Sequence, residues 1–233
     1  MFKAIYLSLC TAIFAVMLPA ATISETFDYR FDVQLGIAKI GEMRVAANND
    51  GKRYSVKTIL RTTGLVGAFY DLRYDQSSSG LVVSGGALRP VQHTSFSNER
   101  NNVSTLEILF SGNRVSRVTY DPIKSVPAEV NSYRNTVDPG TLMYILLRPV
   151  NTNKVCAGNI DLFDGRKLSS VRFVDVKRYT DGRVECSISY SGEGGKAGVA
   201  LTSLVFTPDS NGVMRIRKFE AHTSIGTLTI KAR

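Results

Sequence analysis

The chain has no tryptophan, two histidines and three cysteines. Its longest apolar run also falls short of the roughly 20 residues that a transmembrane helix needs. Each scarcity closes a class of function. A glycoside hydrolase sets two carboxylates across a sugar cleft that is usually lined by aromatics. Asp161 and Asp164 have no tryptophan to complete such a cleft, and Asp164-Gly165 reads as a hairpin turn. The same pair lacks the alternating oxygen ligands of a calcium loop. His93 and His222 have no Gly-x-Ser-x-Gly elbow with them and read as ordinary strand residues, so no catalytic residue is assigned. Two distant histidines and two cysteines do not match metal-ligand spacing, and neither metal nor cofactor is implied. Ser191-Gly192-Glu193-Gly194-Gly195-Lys196 lacks the Ser or Thr that a phosphate loop places after its lysine. No basic-aromatic pattern points to nucleic acid.

The N-terminus is more informative. Lys3 precedes an apolar stretch from Ala4 to Leu18, followed by Pro19-Ala20-Ala21 and then polar residues. This is the order of a secretory signal peptide, so residues 1–24 are expected to be removed and the protein to reside in the periplasm. Leu9 precedes Cys10 where a lipoprotein site would want Gly or Ala, which argues against a lipid anchor. Residues 25–233 are then one domain of about 209 residues, enough for its own core. Loss of Lys3 lowers the net charge from +9 to +8, spread along the strands and not gathered in a tail. The two remaining cysteines, Cys156 and Cys186, are expected to pair in an oxidising compartment, stabilising the fold by about 3–4 kcal/mol on the chain-entropy model.

Most of this domain alternates. Phe27, Tyr29, Phe31 and Val33 share one strand face, while Asp28, Arg30 and Asp32 share the other. Turn signals such as Asn48-Asn49-Asp50-Gly51, Ser111-Gly112-Asn113 and Asp181-Gly182 separate about a dozen such strands. The fold class is mainly β: a single-domain antiparallel barrel or strongly curved half-barrel sheet. One segment departs from the rule. Asp138 is placed to cap a helix, with Pro139 at its first position. Leu142, Met143, Tyr144, Ile145, Leu146 and Leu147 then cover nearly the whole helix circumference, so this helix, spanning about 138–148, must be buried. Residues 121–137, with two prolines and no period, read as a surface loop.

A set of motifs accompanies this pattern: Gly36-Ile37-x-x-Ile40-Gly41, Thr63-Gly64-Leu65 and Gly86-x-Leu88-x-Pro90, with the Asp138-Pro139 helix and Phe163-Asp164-Gly165-Arg166 between the two cysteines. Through them the chain resembles the bacterial family catalogued as domain of unknown function 3108, over most of its length after the signal peptide. The resemblance implies an exported, β-rich envelope protein with no established enzymatic activity.

Two binding hypotheses follow. Leu142, Met143, Leu146 and Leu147, with Phe163 and Phe173, form either a pocket for a lipid or acyl chain at the mouth of the sheet or a plug that fills the core. Alternatively, an exposed sheet edge or basic face holds another envelope protein or a cell-wall assembly. The protein is expected to be a monomer.

Overall fold

The computed structural model describes residues 25–192, 199–223 and 226–233. The expected signal peptide and most of the Ser191–Gly198 loop lie outside these described residues. The first half of the domain runs β1 (Glu25–Leu35), β2 (Ala38–Asn49), β3 (Arg53–Thr62), α1 (Gly64–Phe69), β4 (Leu72–Val82), β5 (Leu88–Glu99), β6 (Asn102–Ser111) and β7 (Arg114–Asp121). The second half comprises α2 (Pro139–Leu147), β8 (Val150–Asn151), β9 (Asn159–Phe163), β10 (Leu168–Arg178), β11 (Val184–Gly192), β12 (Val199–Pro208), β13 (Val213–Thr223) and β14 (Gly226–Ala232).

Each half is an up-and-down meander, and the two are joined where β1 pairs with β14. The resulting antiparallel order is β7-β6-β5-β4-β3-β2-β1-β14-β13-β12-β11-β10-β9, with β8 beside β13. Alternation is what bends the sheet around a core. In β1, Phe27, Phe31 and Val33 are buried, and in β3 Tyr54, Val56 and Thr58 are, while the residues between them face solvent wholly or in part. The main core joins these residues to α2 and to Val184, Leu204, Met214 and Ile216 of the other half.

The sheet is not closed. The gap between β7 and β9 is the width of one missing strand, and residues 133–137 fill it. On one side Val115 donates its N–H to the Tyr133 carbonyl (3.2 Å), and Asn135 donates to Asn113 (2.7 Å). On the other, Val137 donates to Asp161 (2.8 Å) and Phe163 donates back to Val137 (2.9 Å). A strap that bonds both edges keeps them about 10 Å apart, two inter-strand spacings. The loop expected over 121–137 therefore ends as a seam, a role that its aperiodic sequence could not show. A second, smaller cluster lies beneath it, formed by Ile108, Val115, Tyr133 and Phe163. Gly165 tightens the same seam. Its φ is +94°, and a Cβ there would sit 2.6 Å from the Tyr120 hydroxyl, while the Arg166 guanidinium lies over the Tyr120 ring.

Antiparallel pairing sorts the connections of the first half onto two rims. The mouth rim carries residues 50–52, 83–87 and 112–113. The far rim carries residues 36–37, α1, the turn at Arg100–Asn101 and the stretch leaving β7.

Candidate functional site

Helix α2 starts deep in the half-barrel. The Asp138 side chain accepts from the Thr141 N–H (2.9 Å), which caps the helix, and Pro139 occupies the first turn. The carboxylate does more than cap. Oδ1 accepts from Ser78 Oγ on β4 (2.5 Å), and Oδ2 accepts from Thr141 Oγ1 (2.6 Å). With the Thr141 hydroxyl proton directed to Asp138, the Tyr54 hydroxyl on β3 donates to Thr141 Oγ1 at 2.7 Å. His93 Nδ1 on β5 faces Ser78 Oγ at 2.9 Å and Asp138 Oδ1 at 3.2 Å. Both are acceptors toward it, so Nδ1 carries a proton.

Asp138, His93, Thr141, Ser78 and Tyr54 are all 2% exposed or less. Burial alone would raise the Asp138 carboxyl. Hydrogen bonds and charge from His93, with the bonds from Ser78 and Thr141, outweigh it and hold the group below the usual carboxylate range.

Ser78, His93 and Asp138 are the residue types of a nucleophile relay, but their geometry is different. A relay places serine on one imidazole nitrogen and the carboxylate on the other. Here both face Nδ1, Nε2 has no partner among the described residues, and the serine is 1% exposed. The cluster is an anchor. It fixes the helix against β3, β4 and β5 at once. Gly140 permits the approach, since a Cβ there would fall 2.1 Å from Ser78 Oγ.

One turn on, Tyr144 is fully buried between the rings of Phe27 and Tyr54 (centroids at 5.8 and 5.5 Å). Its hydroxyl accepts from Asn49 Nδ2 (2.9 Å) and donates to Glu25 Oε2 (3.0 Å). Burial pushes the phenol up to about 12. Burial also raises the Glu25 carboxyl, despite the Tyr144 hydrogen bond and the nearby Arg148 and Arg215, and Glu25 Oε1 has no partner among the described residues.

Glu25 stands at the edge of a cleft of about 640 Å³ at the mouth rim. The cleft lies between the Val83–Gly86 hairpin and the chain that leaves α2. Val82, Val83, Pro149, Val150 and Val213 form apolar wall, while Glu25, Asn49, Arg148 and Lys154 supply polar groups. Neither Arg148 nor Lys154 has an ion-pair partner within 4 Å among the described residues. A second cleft of about 580 Å³ opens on the other side of the hairpin, bounded by Leu88, Pro90, Phe110 and the strap residues Asn135–Val137.

The structure divides the six apolar residues singled out by sequence. Leu142, Leu146 and Leu147 are buried in the main core, with Met143 half-buried against it. Phe163 belongs to the seam cluster, and Phe173 is half-buried on β10. Among the described residues they fall into two separate clusters. The space that touches Leu146 and Phe173 is about 60 Å³, room for about two waters. Cys156 and Cys186 have their Cα atoms 5.9 Å apart with the sulfurs facing, a separation that a disulfide spans. His222 is remote from the cluster and bonds to Thr227 (2.8 Å). Sequence reasoning missed Ser78, Thr141, Tyr54 and the mouth cations, whose only signal is their position in the folded sheet.

No curated protein matches the chain. Among solved structures, a beta-barrel-like protein of domain of unknown function DUF1849 from Brucella abortus is similar at a TM-score of 0.48 and 12% identity, over 90% of this chain and 95% of that one. The model of the family described as a protein of unknown function, DUF3108, matches residues 30–233. With nearly the whole described domain covered, the chain belongs to the DUF3108 family.

Proposed function

We propose that this is a non-catalytic protein of the bacterial envelope, exported to the periplasm, that holds an amphipathic ligand such as a lipid or acyl chain at the mouth rim. The observation that carries this reading is the 640 Å³ cleft, where Arg148 and Lys154, free of ion pairs among the described residues, face an apolar wall. The apolar part of the ligand would lie along Val82, Val83 and Val150, and its anionic head would meet the two cations. Unpartnered Glu25 Oε1 would accept a hydroxyl or amine of the same head.

Native mass spectrometry of protein taken from the periplasm, followed by solvent extraction and lipid analysis, tests this. The expected result is a co-purifying acyl species that is lost from Arg148→Ala/Lys154→Ala protein that is still folded. A bare protein mass for the unaltered chain overturns it. A second reading, a scaffold for another envelope protein, is favoured by β10. Beyond Arg172 this strand has no β9 partner, and Val174 and Val176 are exposed there. Pull-down from envelope extracts, with and without a Val174→Lys substitution, tests it.

A further inference from the structure

Four large apolar side chains among the described residues are more than four-fifths exposed: Ile37 (103%), Leu65 (83%), Phe69 (84%) and Ile123 (94%). All four stand on the far rim. Ile37 tips the β1–β2 turn, and Leu65 and Phe69 lie on α1, which buries none of its residues. Ile123 follows the end of β7, whose Asp121 pairs with Thr105 near the start of β6. The corresponding connections of the mouth rim are Asp50-Gly51-Lys52, Val83–Ala87 and Gly112-Asn113, and none carries a side chain exposed in this way. The asymmetry therefore belongs to one end of the sheet.

From this we infer that the far rim is a docking surface for an anionic phospholipid bilayer. The apolar groups project from separate tips instead of lining a groove, which suits insertion among lipid chains and offers no pocket to a peptide. A few isolated side chains also supply far less than the roughly 800 Å² per partner that a stable protein interface buries.

The charges around the tips point the same way. Asp32 and Glu42 are paired with Lys39 and Arg233, and Asp75 is paired with Arg73. Glu99 accepts from the Tyr70 hydroxyl. Arg61, Arg100 and Lys124 have no ion pair among the described residues, against the unpaired carboxylates of Asp71 and Asp121. Arg100 lies over the Tyr70 ring at 4.7 Å, and Lys124 lies over that of Tyr120 at 5.5 Å. Aromatic rings with cations beside exposed aliphatic tips match the composition of a membrane interface.

The absence of tryptophan makes the test local. Phe69→Trp places a single indole on the far rim, and Lys52→Trp places one on the mouth rim. Each protein, as the producing cell processes and releases it, is mixed with phosphatidylglycerol–phosphatidylethanolamine vesicles. The expected result is a blue shift for Phe69→Trp and none for Lys52→Trp. In co-sedimentation, Ile37→Ser/Leu65→Ser/Phe69→Ser should lower vesicle partitioning at least tenfold. These positions are exposed, so an unchanged melting curve is expected to accompany that loss. Arg148→Ala should sediment like the unaltered chain, which separates this docking from ligand capture at the mouth. Equal sedimentation of the triple serine variant overturns the inference, as does unaltered protein that stays in the supernatant. A dimer in vesicle-free ultracentrifugation that the triple variant abolishes would assign the rim to a second copy of the chain and would also overturn it.

Discussion

The two carboxylates tied to α2 sit in opposite electrostatic situations. Asp138, at the start of the helix, is fully buried yet held below the usual carboxylate range, because several donors converge on it. Glu25, beneath Tyr144, is raised, because its burial outweighs the one hydrogen bond from Tyr144 and the charges of Arg148 and Arg215, and its second oxygen has no partner among the described residues. Burial alone does not decide whether a carboxylate stabilises a fold; the number of donors aimed at it does. The well-served group has a structural role, and the poorly served one lines a cleft.

The sharpest way to break this contrast is Asp138→Ala. It would leave Ser78, Thr141 and His93 facing an empty buried position, at a cost of about 3–5 kcal/mol in urea unfolding. A loss below about 1 kcal/mol would mean that packing alone places the helix. Next in size is Gly140→Ala, which drives a methyl into Ser78 and is expected to destabilise by about 1–3 kcal/mol, with Ser78→Ala/Gly140→Ala recovering part of the loss.

The smallest effect is that of Glu25→Gln, which should change stability at pH 7 by less than about 1 kcal/mol, in the stabilising direction. The pH dependence carries the signs. A depressed folded value means that the unfolded chain takes up the proton first, so the contribution of Asp138 is present at neutral pH and is lost as pH falls below about 4. A raised value does the reverse, so Glu25 opposes folding at neutral pH and ceases to do so on mild acidification. Thermal melts from pH 7 to pH 3 should show a flattened acid limb for Asp138→Ala and loss of the mildly acidic gain for Glu25→Gln.

What was legible in the sequence was local. The cap and the proline of α2 lie within three residues of each other, and the apolar circumference of the helix announced burial. Alternation gave the strands, and their number and even spacing gave the curved sheet. What was not legible depends on register between distant strands. Ser78 is 60 positions from Asp138, and nothing around either residue marks the pair. Phe163 and Phe173 looked alike as apolar residues on neighbouring strands, but β9 presents Phe163 to the seam while Phe173 meets the main core from β10. The apolar character of residues 64–70 was visible as well. Periodicity reports which side chains face together and is silent on whether anything covers them.

The junction of β1 with β14 has a consequence for how this chain reaches its fold. Every other neighbour pair along the sheet path, from β7 to β1 and from β14 to β9, comes from consecutive strands, and such hairpins can form quickly and in either order. The β1–β14 pair joins the two extremes of the domain. During synthesis the first meander can be complete while its β1 edge remains open, and that edge stays exposed until the last strand emerges. Joining the meanders is then the slow, high-contact-order step, and the interval before it is when this protein is most prone to pair with the wrong strand.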